Sequence, residues 1–254
     1  MSEKSTLSDD ASYTASKIKD FQIALDKYHE NPFYQHTGRV TGSIIVILQC
    51  ITTLHCYQSY PCIHAIQLIL PLFFAMILTD FINGLAHLYM DNNTRYHTRF
   101  GPFIAAFHMH HLQPKYTKKN LIFVYFNESG TKYWLVAYLG LLYGLQCTVS
   151  IPLEINVGLV CIGVLSSIAE VSHYWCHQGD KAHRFIQLLQ RKRILLYKKH
   201  HLIHHSSYNK NYGFLNGLSD PIINWIAARW YAGYKSHSDQ HARAYQGKPT
   251  QNRI

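Results

Sequence analysis

Histidines are the residues of this chain whose number and spacing point most directly to chemistry. The chain has 254 residues and 18 histidines, and half of these fall in three short clusters beside apolar stretches. The clusters lie within 108–111, 173–177 and 200–205, and His87 adds a further position at the end of an apolar run. Imidazole is a common metal ligand at neutral pH and suits iron, zinc and copper. The pattern predicts a metal centre where helices leave a membrane.

The spacing within each cluster places several rings on one face of a helix. His173 and His177 are four residues apart, and the 201–205 cluster has three histidines at steps of three and four. Residues at these steps are neighbours on an α-helix. The same steps relate four polar residues at the end of another apolar stretch, which are Asp80, Asn83, His87 and Asp91. Four separate elements are therefore expected to present nitrogen ligands towards one region.

The number of candidate imidazoles favours a pair of metal ions. Eight to ten of them lie in or beside the clusters, whereas a tetrahedral zinc uses only four ligands. Asp91 and Glu170 are the nearest acids, and each either binds metal or, as we prefer, accepts a ring N–H from a ligand histidine.

Not every histidine is interpreted as a ligand. A histidine outside the clusters is more simply a hydrogen-bonded core or interfacial residue, and this applies to His29, His36, His55, His64, His97, His183, His237 and His241. Adventitious metal binding by a surface tract is typical of low-complexity repeats. The clusters here are spaced and adjoin apolar helices, so we favour a specific site.

Four apolar stretches are the elements that must position these clusters. They cover about 40–57, 66–89, 133–151 and 155–175, and each approaches the roughly 20 residues that a helix needs to cross a bilayer core. The alternative is four buried helices of a soluble protein. The fold class expected is an all-α integral membrane protein, with four transmembrane helices and a cytosolic helical cap that carries a dimetal site.

The placement of charge favours the membrane interpretation. The chain has 24 Lys and Arg residues, with none in 40–94 or 133–180. An excess of basic residues marks cytosolic segments, so both termini, the middle segment and the histidine clusters are expected on the cytosolic side. The net charge of +10 then reflects a face attracted to anionic headgroups rather than to nucleic acid. The membrane is the endoplasmic reticulum in a eukaryote or the inner membrane in a bacterium.

The domain organisation predicted is simple. Residues 1–39 form a cytosolic tail with an amphipathic helix, 40–235 form the membrane domain, and 236–254 form a cytosolic tail. The six cysteines include no CxxC pair and are interpreted as structural, although Cys56 and Cys62 could bridge across a short loop. No GxSxG, Walker, GxGxxG or HExxH motif occurs. A fused cytochrome b5 motif is also absent, so any electron donor is a separate protein.

These segments together resemble the Kua-type lipid desaturases. That family includes plasmanylethanolamine desaturase and a plastid enzyme that acts on phosphatidylglycerol-bound palmitate. The resemblance covers roughly 40–225, and the segments that carry it are His87-x-x-x-Asp91, Phe107-x-x-His110-His111-x-x-Pro114, Glu170-x-x-His173-x-x-x-His177, Leu188-Leu189-Gln190 and His201-x-x-His204-His205. It departs from the family at Glu170, where Asn or Gln is more usual, and at Gly213, which replaces a Cys.

The resemblance implies a ligand set and an activity. The metal ligands it implies are His87, His110, His111, His173, His177, His201, His204 and His205, with His108 and His200 as additional neighbours. The activity implied is O2-dependent desaturation, by two iron ions, of an alkyl or acyl chain of a glycerophospholipid. Electrons would come from a donor such as cytochrome b5 or a ferredoxin. The alternatives left open are a lipid hydroxylase and a non-enzymatic membrane metal-binding or transport protein.

Overall fold

The computed structural model describes residues 3–60, 62–112, 120–128, 132–207 and 209–246, and these ranges contain helices and no strand. The motif residue Pro114 lies outside them. One π-helical turn lies at Val124–Glu128 and one 3-10 turn lies at Gly179–Lys181. The α-helices are α1 (Glu3–Glu30), α2 (Pro32–Ser59), α3 (Ala65–Asn92), α4 (Gly101–Leu112), α5 (Leu121–Phe123), α6 (Tyr133–Thr148), α7 (Leu153–Gln178), α8 (Arg184–Arg191), α9 (Lys198–Ser206), α10 (Asp220–Trp230) and α11 (Tyr234–Gln246).

Three helical segments among the described residues are long and apolar enough to cross a membrane. They are Pro32–Ser59, Ala65–Asn92 and Leu153–Lys181. α3 exposes large apolar side chains such as Ile69 and Phe74, as expected of a surface that faces lipid. The fourth predicted span corresponds to α6, which has 16 residues and so a length of about 24 Å, short of the roughly 30 Å hydrocarbon core. A four-span arrangement therefore stays a prediction.

Hydrogen bonds from polar side chains join the long helices to one another. Gln49 of α2 donates to the Gly163 carbonyl and to Ser167 Oγ of α7, at 3.0 and 2.8 Å. Gln146 of α6 donates to Asn156 Oδ1 of α7 at 2.7 Å. Such hydrogen bonds help to fix the position of each helix relative to its neighbours, where apolar contacts alone are not directional.

The short loops meet at one end of this bundle. The Tyr60 hydroxyl, beside the α2–α3 loop, donates to the carbonyl of Ile151, between α6 and α7. Cys56 packs nearby with Leu142 and Val157. All six cysteines are free, so the bridge considered between Cys56 and Cys62 is not formed.

A helical cap covers the other end. α1, α4 and α11 pack together around a core that includes Phe21, Leu25, Ile104, Met109 and Ala242. α1 begins at Glu3, within the segment predicted to begin as a tail. Once part of a helix is held by packing, each further residue adds a hydrogen bond at little cost.

Residues 236–246, which belong to the predicted C-terminal cytosolic tail, form part of the helix α11. This helix buries Ser238, His241 and Ala242 against its neighbours. Two of these three buried residues are polar, which explains why the hydropathy pattern did not indicate a packed helix.

Candidate metal centre

Five histidines converge in what we call the five-histidine group. α4 supplies His110, α7 supplies His173 and His177, and α9 supplies His201 and His205. One ring nitrogen from each lies within 4.8 Å of all the others. The i, i+4 pairs on α7 and α9 place both rings of each pair on the face that turns towards the group.

The distances in this group fit a bound cation better than hydrogen bonding. His173 Nε2 lies 3.1 Å from both His110 Nε2 and His177 Nε2, and 2.9 Å from His201 Nε2. One ring nitrogen carries either a proton or a lone pair, so it cannot hydrogen-bond to three nitrogens at once. Nitrogens about 2.1 Å from one ion and at right angles lie about 3.0 Å apart, which matches the observed spacing.

A second group adjoins the first, and we call it the aspartate group. It comprises His87 and Asp91 of α3, His111 of α4 and His204 of α9, again with all ligand atoms within 4.8 Å. Asp91 Oδ1 lies 3.0 Å from His111 Nε2, and Asp91 Oδ2 lies 3.4 Å from the Nε2 atoms of both His87 and His204. Asp91 Oδ1 and His204 Nε2 are buried and make no hydrogen bond within the described residues. A buried polar atom without a partner is costly, and a cation would satisfy both atoms.

Adjacent residues divide between the two groups. His110 and His111 follow one another on α4, as do His204 and His205 on α9, and each pair supplies one ring to each group. The rings of His111 and His205 lie 5.2 Å apart across the boundary. The sequence thus builds two neighbouring sites from shared helices, which suits a pair of ions.

Backbone carbonyls set the proton on several of these rings. Nδ1 of His87 lies 2.8 Å from the Tyr212 carbonyl, and Nδ1 of His204 lies 2.8 Å from the Lys210 carbonyl. Nδ1 of His205 lies 3.2 Å from the His111 carbonyl. A carbonyl only accepts, so each Nδ1 carries the proton and each Nε2 keeps its lone pair for a metal.

Burial keeps the histidines of α4 and α9 neutral. It holds the pKa of His110, His201 and His204 well below the usual value, because a charged ring would lose its hydration. The positive charge that neighbouring rings would carry lowers the pKa of these groups further. Neutral imidazole is the form that binds a metal ion.

The structure brings together all eight histidines of the predicted ligand set, with Asp91. That they bind metal stays a prediction. Glu170 lies outside both groups, with Oε1 3.4 Å from His173 Nδ1, in the position expected of an acid that orients a ligand ring. His108 and His200 lie elsewhere. His108 contacts the Tyr96 hydroxyl and the Met90 carbonyl, and His200 Nε2 lies 2.5 Å from Asp220 Oδ2.

Sequence reasoning missed two residues of α11 that approach the aspartate group. The Tyr234 hydroxyl donates to Asp91 Oδ2 at 3.1 Å, and Asp239 Oδ1 lies 3.7 Å from His111 Nδ1. Burial and the nearby Asp91 carboxylate raise the pKa of the Tyr234 phenol, so this hydroxyl stays protonated. These contacts join residues more than 100 positions apart, and no local pattern marks them.

A buried carboxylate shapes the loop between α9 and α10. Asp80 of α3 accepts hydrogen bonds from the backbone N–H groups of Leu215, Asn216, Gly217 and Ser219 and from the Ser219 hydroxyl. Gly217 has φ +78°, which only glycine adopts without cost. The loop held in this way supplies the Tyr212 carbonyl to His87.

The fold and the site define a helical protein with membrane-length helices and two adjoining, buried, histidine-rich groups suited to metal ions. Residues 76–230 match the family model described as a lipid desaturase domain. This match covers more than half of the chain, which therefore belongs to the Kua-type lipid desaturase family, a family of oxidoreductases. No solved structure matches the chain significantly.

Proposed function

We propose that the chain is a membrane-bound, O2-dependent desaturase that uses two iron ions to introduce a double bond into a glycerophospholipid chain. The observation that carries this proposal is the pair of adjoining ligand groups, built from four helices inside the segment that matches the lipid desaturase family. The first candidate substrate is the alkyl chain of a plasmanylethanolamine-like lipid. The second is an acyl chain of phosphatidylglycerol, and hydroxylation of the same chain is the alternative reaction.

The ligand types support iron. Five imidazoles in one group exceed the four ligands of a tetrahedral zinc site. Three imidazoles with a carboxylate in the other group leave coordination positions open, an arrangement typical of non-haem iron sites that react with O2. The residues that would hold the two ions are those of the five-histidine group and the aspartate group.

The bound irons would supply the oxidising power for removal of two hydrogens from adjacent carbons, with reduction of O2 to water by these hydrogens and by electrons and protons from outside. The chain's own residues hold the site in place and exclude water. His173, His201 and His204 are each at most 1% exposed. The Tyr212 and Lys210 carbonyls fix the orientation of His87 and His204.

Electrons would come from a separate donor such as cytochrome b5 or a ferredoxin. The basic residues flanking the long helices support a cytosolic location for the histidine groups. In this arrangement the lipid headgroup rests near the basic segments and its chain reaches the groups from the membrane. The membrane would be the endoplasmic reticulum of a eukaryote or the inner membrane of a bacterium.

Lipid analysis of a host that expresses the chain tests this function. We expect new vinyl-ether lipids with the wild-type chain and none with His204→Ala. The matched control is His97→Ala, because His97 is exposed and belongs to neither group, and this variant should behave as wild type. A new double bond in an ester-linked chain would select the acyl substrate, and a new hydroxyl group would select the hydroxylase.

Metal analysis of the purified chain separates the enzyme from a metal-binding or transport protein. We expect about two irons per chain and O2 consumption that depends on an electron donor. A single labile zinc, together with unchanged host lipids, would overturn the proposal.

A further inference from the structure

The C-terminal helix α11 lies outside the segment that matches the family model. The match ends at residue 230, whereas α11 covers Tyr234–Gln246. α11 nevertheless places two side chains against the aspartate group. Its role is therefore not implied by the family match and has to be argued from its own contacts.

Tyr234 donates a hydrogen bond to the carboxylate of the aspartate group. Its hydroxyl lies 3.1 Å from Asp91 Oδ2 and 2.7 Å from the Tyr212 hydroxyl. A carboxylate in this group accepts, so Tyr234 donates to Asp91 and Tyr212 donates to Tyr234. Tyr212 also presents its carbonyl to His87 Nδ1. One chain of hydrogen bonds thus fixes both α3 residues of the group.

Asp239 acts on the α4 residue of the same group. Its Oδ1 lies 3.7 Å from His111 Nδ1, while His111 Nε2 faces Asp91 at 3.0 Å. The Asp239 side chain is 16% exposed and that of His111 is 4% exposed, so the pair is shielded from water. A carboxylate at Nδ1 favours the tautomer whose Nε2 is free for a metal and raises the basicity of the ring.

The far end of α11 is anchored independently of the group. His241 Nδ1 lies 3.1 Å from the Tyr96 hydroxyl, which is also 2.8 Å from His108 Nδ1. Tyr245 donates to Asp26 of α1 at 3.0 Å, and Ala242 packs in the core with Phe21. Contacts that lie outside the aspartate group therefore hold the C-terminal part of α11 in place.

We propose that α11 is a positioning element for the metal ion of the aspartate group, acting through Tyr234 on Asp91 and through Asp239 on His111. This inference rests on the proposed function, because it assumes that the groups bind iron. Loss of either contact should weaken iron at this group by about 10- to 100-fold, the usual effect of removing a partner of a ligand. The five-histidine group should keep its iron.

Iron retention under a chelator tests the proposal without relying on activity. The full-length chain would be purified in detergent as wild type, Tyr234→Phe, Asp239→Asn and Tyr245→Phe. The last variant is the matched control, because it removes the same kind of hydroxyl from the same helix at a site where that hydroxyl donates to Asp26 of α1. We expect wild type and Tyr245→Phe to retain about two irons per chain, and the other variants to lose one of them at 10- to 100-fold lower chelator concentration.

The outcomes separate this inference from the proposed function. Equal iron retention by all four chains, at about two irons each, would overturn the role of α11 and leave the function standing. A wild-type chain without iron would overturn the function itself. Loss of both irons from Tyr234→Phe together with a lower melting temperature would indicate only a structural role. In that case Asp239→Asn decides the question, because Asn has nearly the same size and shape as Asp and the change removes only the charge.

Discussion

Phe214 stacks on His173, with ring centroids 4.4 Å apart and planes only 13° apart. The same phenyl ring lies 4.2 Å from the ring of His87. His173 belongs to the five-histidine group and His87 to the aspartate group, so one apolar ring contacts a candidate ligand of each. Phe214 lies in the loop whose backbone N–H groups donate to Asp80. Its ring forms part of the apolar lining that the two groups share.

Replacement of Phe214 by Ala should destabilise the chain and the site together. The side chain is 7% exposed, and truncation of a buried Phe to Ala costs about 3–5 kcal/mol. We expect a lower melting temperature in detergent, with Phe214→Leu less affected. Phe73→Ala is the control, because Phe73 is 53% exposed on the apolar surface of α3. Equal melting temperatures for Phe214→Ala and Phe73→Ala would contradict the packing of Phe214 against the two groups.

The ligand histidines were open to prediction because they follow helical steps. His173 with His177, and His201 with His204 and His205, each share a helix, so a local pattern places the rings together. The contacts of Phe214, Tyr234 and Asp239 depend instead on how distant elements pack. No periodicity within their own segments indicates which ring or carboxylate they meet.

The fold was predictable to a similar degree. Long apolar stretches indicated α2, α3 and α7, since hydropathy over about 20 residues is a strong signal. α11 gave no such signal, because it packs through Ser238, His241 and Ala242.

The sequence also offered no reason for glycine at position 213. A Cβ atom there would lie 2.7 Å from Gly217 Cα and 2.9 Å from Asp80 Oδ1, a crowding that becomes visible only once the loop is folded.

Asp80→Asn should destabilise the loop between α9 and α10. The carboxylate accepts hydrogen bonds from four backbone N–H groups and one hydroxyl, whereas an Asn amide would turn N–H groups towards some of these donors. Hydrogen bonds to a buried charge are worth about 1.5–3 kcal/mol each, so we expect a loss of at least roughly that size. Thermal unfolding measures it, with the exposed Asp180→Asn as control. Unfolding of both variants at the wild-type temperature would refute this role.

His108→Ala and His200→Ala should keep the full iron content, unlike His204→Ala. His108 bonds to Tyr96 and the Met90 carbonyl, and His200 bonds to Asp220. Both variants therefore lose stability rather than a ligand. Iron per chain measured by elemental analysis, alongside melting temperature, distinguishes the two effects. Loss of iron from His200→Ala at an unchanged melting temperature would place that ring among the ligands.

Acidification should destabilise the metal-free chain. Burial holds the pKa of His110, His201 and His204 well below 6.5 in the folded state. Below about pH 6.5 the unfolded chain takes up protons on these rings and the folded chain does not, so stability is present above that pH and is lost as pH falls. Each such group contributes a slope of roughly 1.4 kcal/mol per pH unit.

Thermal melting of chelator-treated protein between pH 7.5 and 5.5 measures this slope. His204→Gln removes one of these groups and should make the dependence of the melting temperature on pH shallower. A melting temperature that stays constant or rises on acidification would show that these rings are already protonated in the folded chain.

The crossing of the membrane by α6 can be tested with the natural thiols. Cys62 lies in the α2–α3 loop and Cys147 lies near the end of α6, and both are exposed. The hydrogen bond from Tyr60 to the Ile151 carbonyl joins these two ends, so both thiols should face the side opposite to α9. In spheroplasts of a bacterial host, chains that keep only Cys62 or only Cys147, with Ser at the other cysteines, should react with a membrane-impermeant maleimide. A chain with Ser at all six natural cysteines and with Ser206→Cys, at the exposed C-terminal end of α9, should react only after permeabilisation. Reaction of Cys147 only after permeabilisation would mean that α6 does not cross, and the four-span prediction would then be wrong.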